Sequence, residues 1–287
     1  MESASIPTPG RPEPPTEGAT PQPKERRWGG AMLDELGELT VFSFQVLKAL
    51  PGSLRYFSEV MRINAVITRR TWLLLILMCA FLGLSASNFG YFFLRSIGAT
   101  DFVGVLPGLL TPREIAPQMF GYVFAGSVCC AIAAELGSAR IQEEIDAYES
   151  QGIDTMQLLA GTRVLATVLF VPLASLLSQV GCLIGAYVAI VVILGGNTQQ
   201  QLIDTIFSVY PVSSILYATI TVGVLTLQCT LVACFYGMTG KGAGAGPAAV
   251  GGAVARSLAV NLVLLHIVIA LCALLFYGGS LGTPIGD

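Results

Sequence analysis

Five stretches of this chain contain no Asp, Glu, Lys or Arg: Thr71–Leu94 (24 residues), Ile115–Ala134 (20), Val164–Ile203 (40), Thr205–Gly240 (36) and Ser257–Gly286 (30). A helix needs about 20 mostly apolar residues to cross the hydrocarbon core of a bilayer. Each stretch meets that length, so the chain reads as an all-α, polytopic membrane protein. Only 11% of its 287 residues are charged, where a soluble domain carries roughly a quarter. Nucleic acid is excluded as a partner, because the net charge is −3 and no run of basic residues is longer than a pair such as Arg69-Arg70.

The spans are expected near 71–94, 115–137, 160–194, 211–238 and 257–278. Val164–Leu194 is too long for one perpendicular crossing and too short for two with a turn, so it reads as one tilted helix that Pro172 can kink. Five spans put the termini on opposite sides. With the N-terminus inside, Arg62, Arg69, Arg70, Arg140, Arg163, Lys241 and Arg256 are cytoplasmic and only Arg95 and Arg113 are outside. That bias predicts a cytoplasmic N-terminus and a periplasmic C-terminus.

Ahead of the first span, residues 53–68 are amphipathic. Leu54, Tyr56, Phe57, Val60, Met61 and Ile63 oppose Arg55, Ser58, Glu59 and Arg62, as in a helix lying in the headgroup plane. A weaker apolar run, Val41–Leu50, stops at Pro51-Gly52. The expected organisation is therefore a Pro-rich, disordered cytoplasmic tail (1–40), an interfacial helix region (41–70) and a five-span domain (71–280). Pro7 to Pro23 occupy the place where a cleavable signal would need an apolar core. The seven cysteines all fall in the uncharged stretches and read as small packing residues. Gly181-x-x-x-Gly185 permits close helix approach. Gly240-Lys241 lacks the Ser or Thr that must follow the lysine of a phosphate loop, so nucleotide hydrolysis is not expected of this chain.

Charge gathers instead at Glu135, Arg140, Glu143, Glu144, Asp146, Glu149 and Asp154, within 20 residues. Read as a helix over about 138–152 that Gly152 ends, the segment sets Arg140, Glu143, Glu144 and Ala147 on one face and Ile141, Ile145 and Tyr148 on another. A short helix of one dominant sign between two spans suits the docking of a soluble partner; a solvated surface loop is the plainer alternative.

These residues also carry a resemblance. Ala133-Ala134-Glu135-Leu136-Gly137, Arg140, Glu143-Glu144-Ile145-Asp146-Ala147, Glu149, Gly152-Ile153-Asp154 and Arg163 resemble the signature of the MlaE/YrbE permeases, the membrane subunits of Mce-type lipid ABC transporters. Thr155 and Thr162 stand where that family usually has proline. The Pro-rich tail and the Glu143-Glu144 pair are similar to the actinobacterial Mce branch. The resemblance implies a permease of the bacterial cytoplasmic membrane with no catalytic residue of its own, paired with a second, paralogous permease. It also implies a cytoplasmic ABC ATPase dimer that binds ATP and Mg, and Mce proteins outside that take up or deliver a lipid. Carried over position by position, Glu143, Glu144, Asp146, Tyr148 and Gly152 would face the ATPase.

Two other classes are less well served. A membrane-embedded lipid-modifying enzyme needs ionisable or nucleophilic groups gathered at depth, and the spans offer only His266, which reads as a packing residue bonded across to another helix. An ion-coupled secondary transporter needs buried carboxylates or broken helices near the midplane, and the span centres lack charge. Uncharged centres suit an apolar substrate. Leu84 near the middle of the first span, with Phe89 and Phe92 near its outer end and Phe276 in the fifth span, are the expected lipid path, as a lateral gate between those two spans.

Overall fold

A computed structural model describes residues 28–240 and 246–277, and every described element is helical. Packing divides the chain into two units, 1–38 and 39–287. The helices are α1 (Trp28–Ser53), α2 (Phe57–Ser96), α3 (Val105–Leu110), α4 (Ala116–Val123), α5 (Cys130–Ile141), α6 (Glu144–Ser150), α7 (Thr162–Tyr187), α8 (Gln199–Ser208), α9 (Val212–Thr239) and α10 (Pro247–Tyr277). Five helical runs among the described residues are long and apolar enough to span, as expected: Leu33–Ser96, Thr100–Ile141, Met156–Ile193, Val212–Thr239 and Pro247–Tyr277.

Of the tail expected over 1–40, residues 1–27 lie outside the described part, and the chain is helical from Trp28 on. The amphipathic segment 53–68 is not a helix of its own. The chain breaks at a single tight turn, Leu54–Tyr56, two residues after Pro51-Gly52, and from Phe57 runs unbroken into the first span. Pro51 lies in the last turn of α1, where its missing N–H costs one i→i−4 bond and the helix ends two residues later. The two faces are also assigned differently. Val60 is buried while Leu54, Phe57 and Met61 are exposed. In the second unit, α1 buries Leu39, Phe42 and Val46 and exposes Val41, Phe44 and Leu47, so an apolar stripe is left on its outer side. Phe42 meets Phe235 of α9 edge to face at 5.6 Å.

The closest packing is between α2 and α7. A methyl group added at Gly181 would lie 2.8 Å from the Ile76 carbonyl oxygen, and at Gly185 or Gly83 it would overlap Ala80 O or Cys182 O. Glycine is what lets these backbones touch, and the contact supplies dispersion that apolar side chains facing lipid cannot. Asn64 Nδ2 donates to Ala166 O at 2.8 Å across the same pair. α9 is tied to α7 by Ser175–Thr219 (2.9 Å) and Thr167–Thr230 (3.1 Å), and to α10 by Gln228–Asn261 (2.9 Å). His266 meets Tyr122 at 2.8 Å across to α4, and its other ring nitrogen lies 2.7 Å from Leu262 O. The contact to a carbonyl fixes Nδ1 as the protonated nitrogen and leaves Nε2 to accept from the tyrosine hydroxyl.

The second span is interrupted. Wide π-type turns occur at Thr111–Ile115 and Phe124–Cys129; Pro112 falls inside the first, and Pro107 and Pro117 flank it, each withholding a backbone donor so that the chain re-registers there. The long third run is one helix, with π-type turns at Met156–Gly161 and Val188–Ile193 and Pro172 inside. Past it lies α8, which the charge pattern did not announce. Thr198 accepts a bond from Gln201 N at 3.3 Å and starts that helix, and Leu202 and Ile206 pack with Tyr91, Val103 and Ile190.

Candidate functional site

The charged segment between the second and third spans is helical in two pieces. α5 ends at Ile141, Glu143 takes a left-handed conformation (φ 59°), and α6 begins one residue later. The single helix expected over 138–152 is therefore broken at 142–143, and α6 is a separate helix. Gly152 (φ 75°) ends the unit, at a conformation glycine adopts without strain. Ile145 is the buried anchor of α6, Tyr148 is half-buried, and Glu143, Glu144, Asp146 and Glu149 are exposed. The expected pairing of faces thus holds for Ile145 and fails for Ile141, which is exposed.

The base of this loop is pinned at several points. Arg163, at the start of α7, donates from Nη2 to Glu135 Oε1 of α5 at 2.8 Å and from Nη1 to Leu159 O at 2.9 Å. Its side chain is 8% exposed and that of Glu135 is 64%, so a buried guanidinium is neutralised by a carboxylate in contact with water. Arg140 reaches Asp146 at 3.3 Å. Asp154 caps the third helical run, accepting from Met156 N at 3.0 Å and Gln157 N at 3.3 Å. Thr155 donates to Glu149 at 2.9 Å, so one of the two threonines that depart from the resembled pattern ties α6 to the next span. Ser53, ending α1, donates to Gln157 O at 2.9 Å.

Beside α6 lies a cleft of about 640 Å³ lined by Glu59, Arg62, Glu135, Glu144, Tyr148 and Arg163, among others. Arg62 donates to Glu59 at 2.8 Å; that hydrogen bond, with the charge behind it, holds the Glu59 carboxyl below its usual range. The cleft is open and lined about equally by polar and apolar surface, as suits an interface. Among the described residues no group of His, Cys, Asp and Glu is arranged to hold a metal ion.

Of the expected path residues, Phe89 lines an apolar cavity of about 260 Å³ between α2 and α3, with Ser87, Phe93, Leu106, Leu110 and Thr111. The other three lie elsewhere. Leu84 is half-buried beside Gly185 of α7, Phe92 packs edge to face on Tyr91 at 5.8 Å, and Phe276 stacks on Tyr217 of α9 at 4.9 Å. Sequence reasoning did not anticipate the Arg113–Tyr277 contact (4.6 Å), because nothing in either residue's neighbours announces it.

The described residues form five helical runs long and apolar enough to span, with an acidic helix between the second and third, the architecture of a multi-pass membrane protein. The model of the permease MlaE family matches residues 60–275, and the chain belongs to that family: it is a multi-pass membrane permease and not an enzyme. It is similar to a probable ABC transporter permease protein of Rickettsia bellii (24% identical, covering 80% of this chain and 89% of that one). It is also similar to a probable ABC transporter permease of Synechocystis (27%, 66% and 70%). A third relative is the intermembrane phospholipid transport system permease MlaE of Haemophilus influenzae (26%, 50% and 54%).

Proposed function

We propose that this permease is the membrane half of an ATP-driven lipid transporter and that α6 is its docking element. The observation that carries the reading is the mounting of α6. One apolar side chain, Ile145, is buried while four carboxylates face outward; Arg140–Asp146 ties α6 to the end of α5 and Thr155–Glu149 ties it to the start of the third run, while Arg163–Glu135 joins α5 to α7 beside it. A push on α6 is then delivered to two spans at once. Glu143, Glu144, Asp146 and Tyr148 are the proposed contacts with a cytoplasmic ABC ATPase dimer, which binds ATP and Mg, and Gly152 is the turn that frees the helix.

The substrate is proposed to be a phospholipid or fatty-acid-like lipid, consistent with the name of the Haemophilus relative and with the uncharged span centres. The cavity at Phe89 is the proposed entry for an acyl chain, each CH₂ of which gains roughly 0.8 kcal/mol on burial. A second, paralogous permease and Mce proteins on the far side would complete the path. The basic bias orients the chain with its N-terminus cytoplasmic, and the exposed apolar stripe of α1 suits a seat in the headgroup layer.

The test is the double variant Glu143→Lys, Glu144→Lys. Reversing two charges across an interface costs several kcal/mol, so the variant should insert normally, lose capture of the ATPase and stop transport. If it captures the ATPase and transports like the parent, α6 is only a solvated loop.

A further inference from the structure

A second groove lies between the start of α2 and the segment joining α4 to α5, and the proposed transport path does not use it. It encloses about 220 Å³. Ile63, Ile67, Val128 and Ile132 give it an apolar floor, and Arg62, Arg70 and Arg163 stand around it with one lining carboxylate, Glu135. Arg62 is paired with Glu59 and Arg163 with Glu135, whereas Arg70 has no carboxylate partner among the described residues. Even with Glu59 counted, the three arginines exceed the two carboxylates, so the groove has unmet positive charge.

Its depth follows from the sequence. Arg70 immediately precedes the uncharged stretch Thr71–Leu94, and Glu135 immediately follows Ile115–Ala134. The groove therefore straddles the boundary between headgroups and acyl chains at the end of the bundle that carries α6. We propose that it holds one anionic phospholipid of the adjoining leaflet, its phosphate on Arg70 and Arg62 and its acyl chain against the isoleucines. Guanidinium groups match phosphate oxygens in a two-point contact, and basic pockets between spans at this level are suited to anionic headgroups. A free phosphate would satisfy the arginines and leave the apolar floor in water, which is why the lipid is the better occupant. The site concerns a resident lipid at the α6 end; it shares Arg62, Glu135 and Arg163 with the cleft beside α6, whereas Arg70 lines this groove and not that cleft, so a change at Arg70 tests the lipid apart from the docking role given to α6.

Native mass spectrometry of the full chain, purified with its bound subunits and titrated with phosphatidylglycerol or phosphatidylcholine of matched chains, tests this. The parent should retain phosphatidylglycerol in preference. Arg70→Gln, which leaves both ion pairs intact, should reduce that preference about fivefold. Ala131→Phe, which fills the groove from an exposed position, should lower retention of both lipids while thermal stability is kept. Equal retention of the two lipids by the parent, unchanged preference in both variants, or full displacement by millimolar inorganic phosphate would each overturn the proposal.

Discussion

Glu143 is the residue on which the geometry of α6 turns. It holds φ 59°, the one positive value at a non-glycine position among the described residues, and a left-handed conformation costs an L-residue roughly 1–2 kcal/mol. The helix that 138–152 promised from its periodicity is broken there, and nothing in a glutamate announces such a turn, because Asn or Gly would be the expected occupant. Glu143→Gly should therefore raise thermal stability by about 1 kcal/mol while removing one of the proposed docking carboxylates. Glu143→Val, which adds β-branching at the same φ, should lower stability and straighten α6 onto α5. Thermal unfolding of the detergent-solubilised protein reads both changes. Asp154→Ala should cost about 1 kcal/mol through the lost cap, measured in the same way.

Helices meet where small residues allow it. Gly181-x-x-x-Gly185 was visible in the sequence as a contact motif, but its partner face, Gly83 with Ala80 and Ile76, was not, since no pattern in one helix names the other. Gly185→Leu should separate α2 from α7 and yield an aggregated or degraded protein. Gly251→Leu, at a position with open space around it, should be tolerated, and size-exclusion profiles after extraction compare the two. The C-terminal ends of the five runs were legible to within four residues, whereas the first, second and fifth runs begin well before the expected 71, 115 and 257, because a helix continues past the point where charge stops. α8 was missed although Thr198-x-x-Gln201 has the form of a capping box, because it is a short helix that lies between two expected spans and straddles Asp204. The Glu135–Arg163 pair joins α5 to α7, and Glu135→Gln should weaken it by only about 1 kcal/mol, since water reaches the carboxylate. A double-mutant cycle with Arg163→Gln measures the coupling.

At the scale of the molecule, the fold class and the acidic loop between the second and third spans were legible because both are written in charge, one by its absence and the other by its concentration. The four residues expected to form a lipid path do not share one cavity: Phe89 lines it, and Leu84, Phe92 and Phe276 do not, since depth along a helix does not fix the face a side chain takes. The proposed topology makes a direct prediction: a reporter active only outside the membrane should be silent when inserted near Gly246 and active when fused after Gly286. The central claim is that this permease moves lipid only when a partner hydrolyses ATP. Transfer of a fluorescent phospholipid from proteoliposomes, measured for this chain alone, with its ATPase, and with ATPase and ATP, tests it. The account predicts transfer in the third case and none in the first two. Lipid transfer or lipid modification by the chain alone would contradict it.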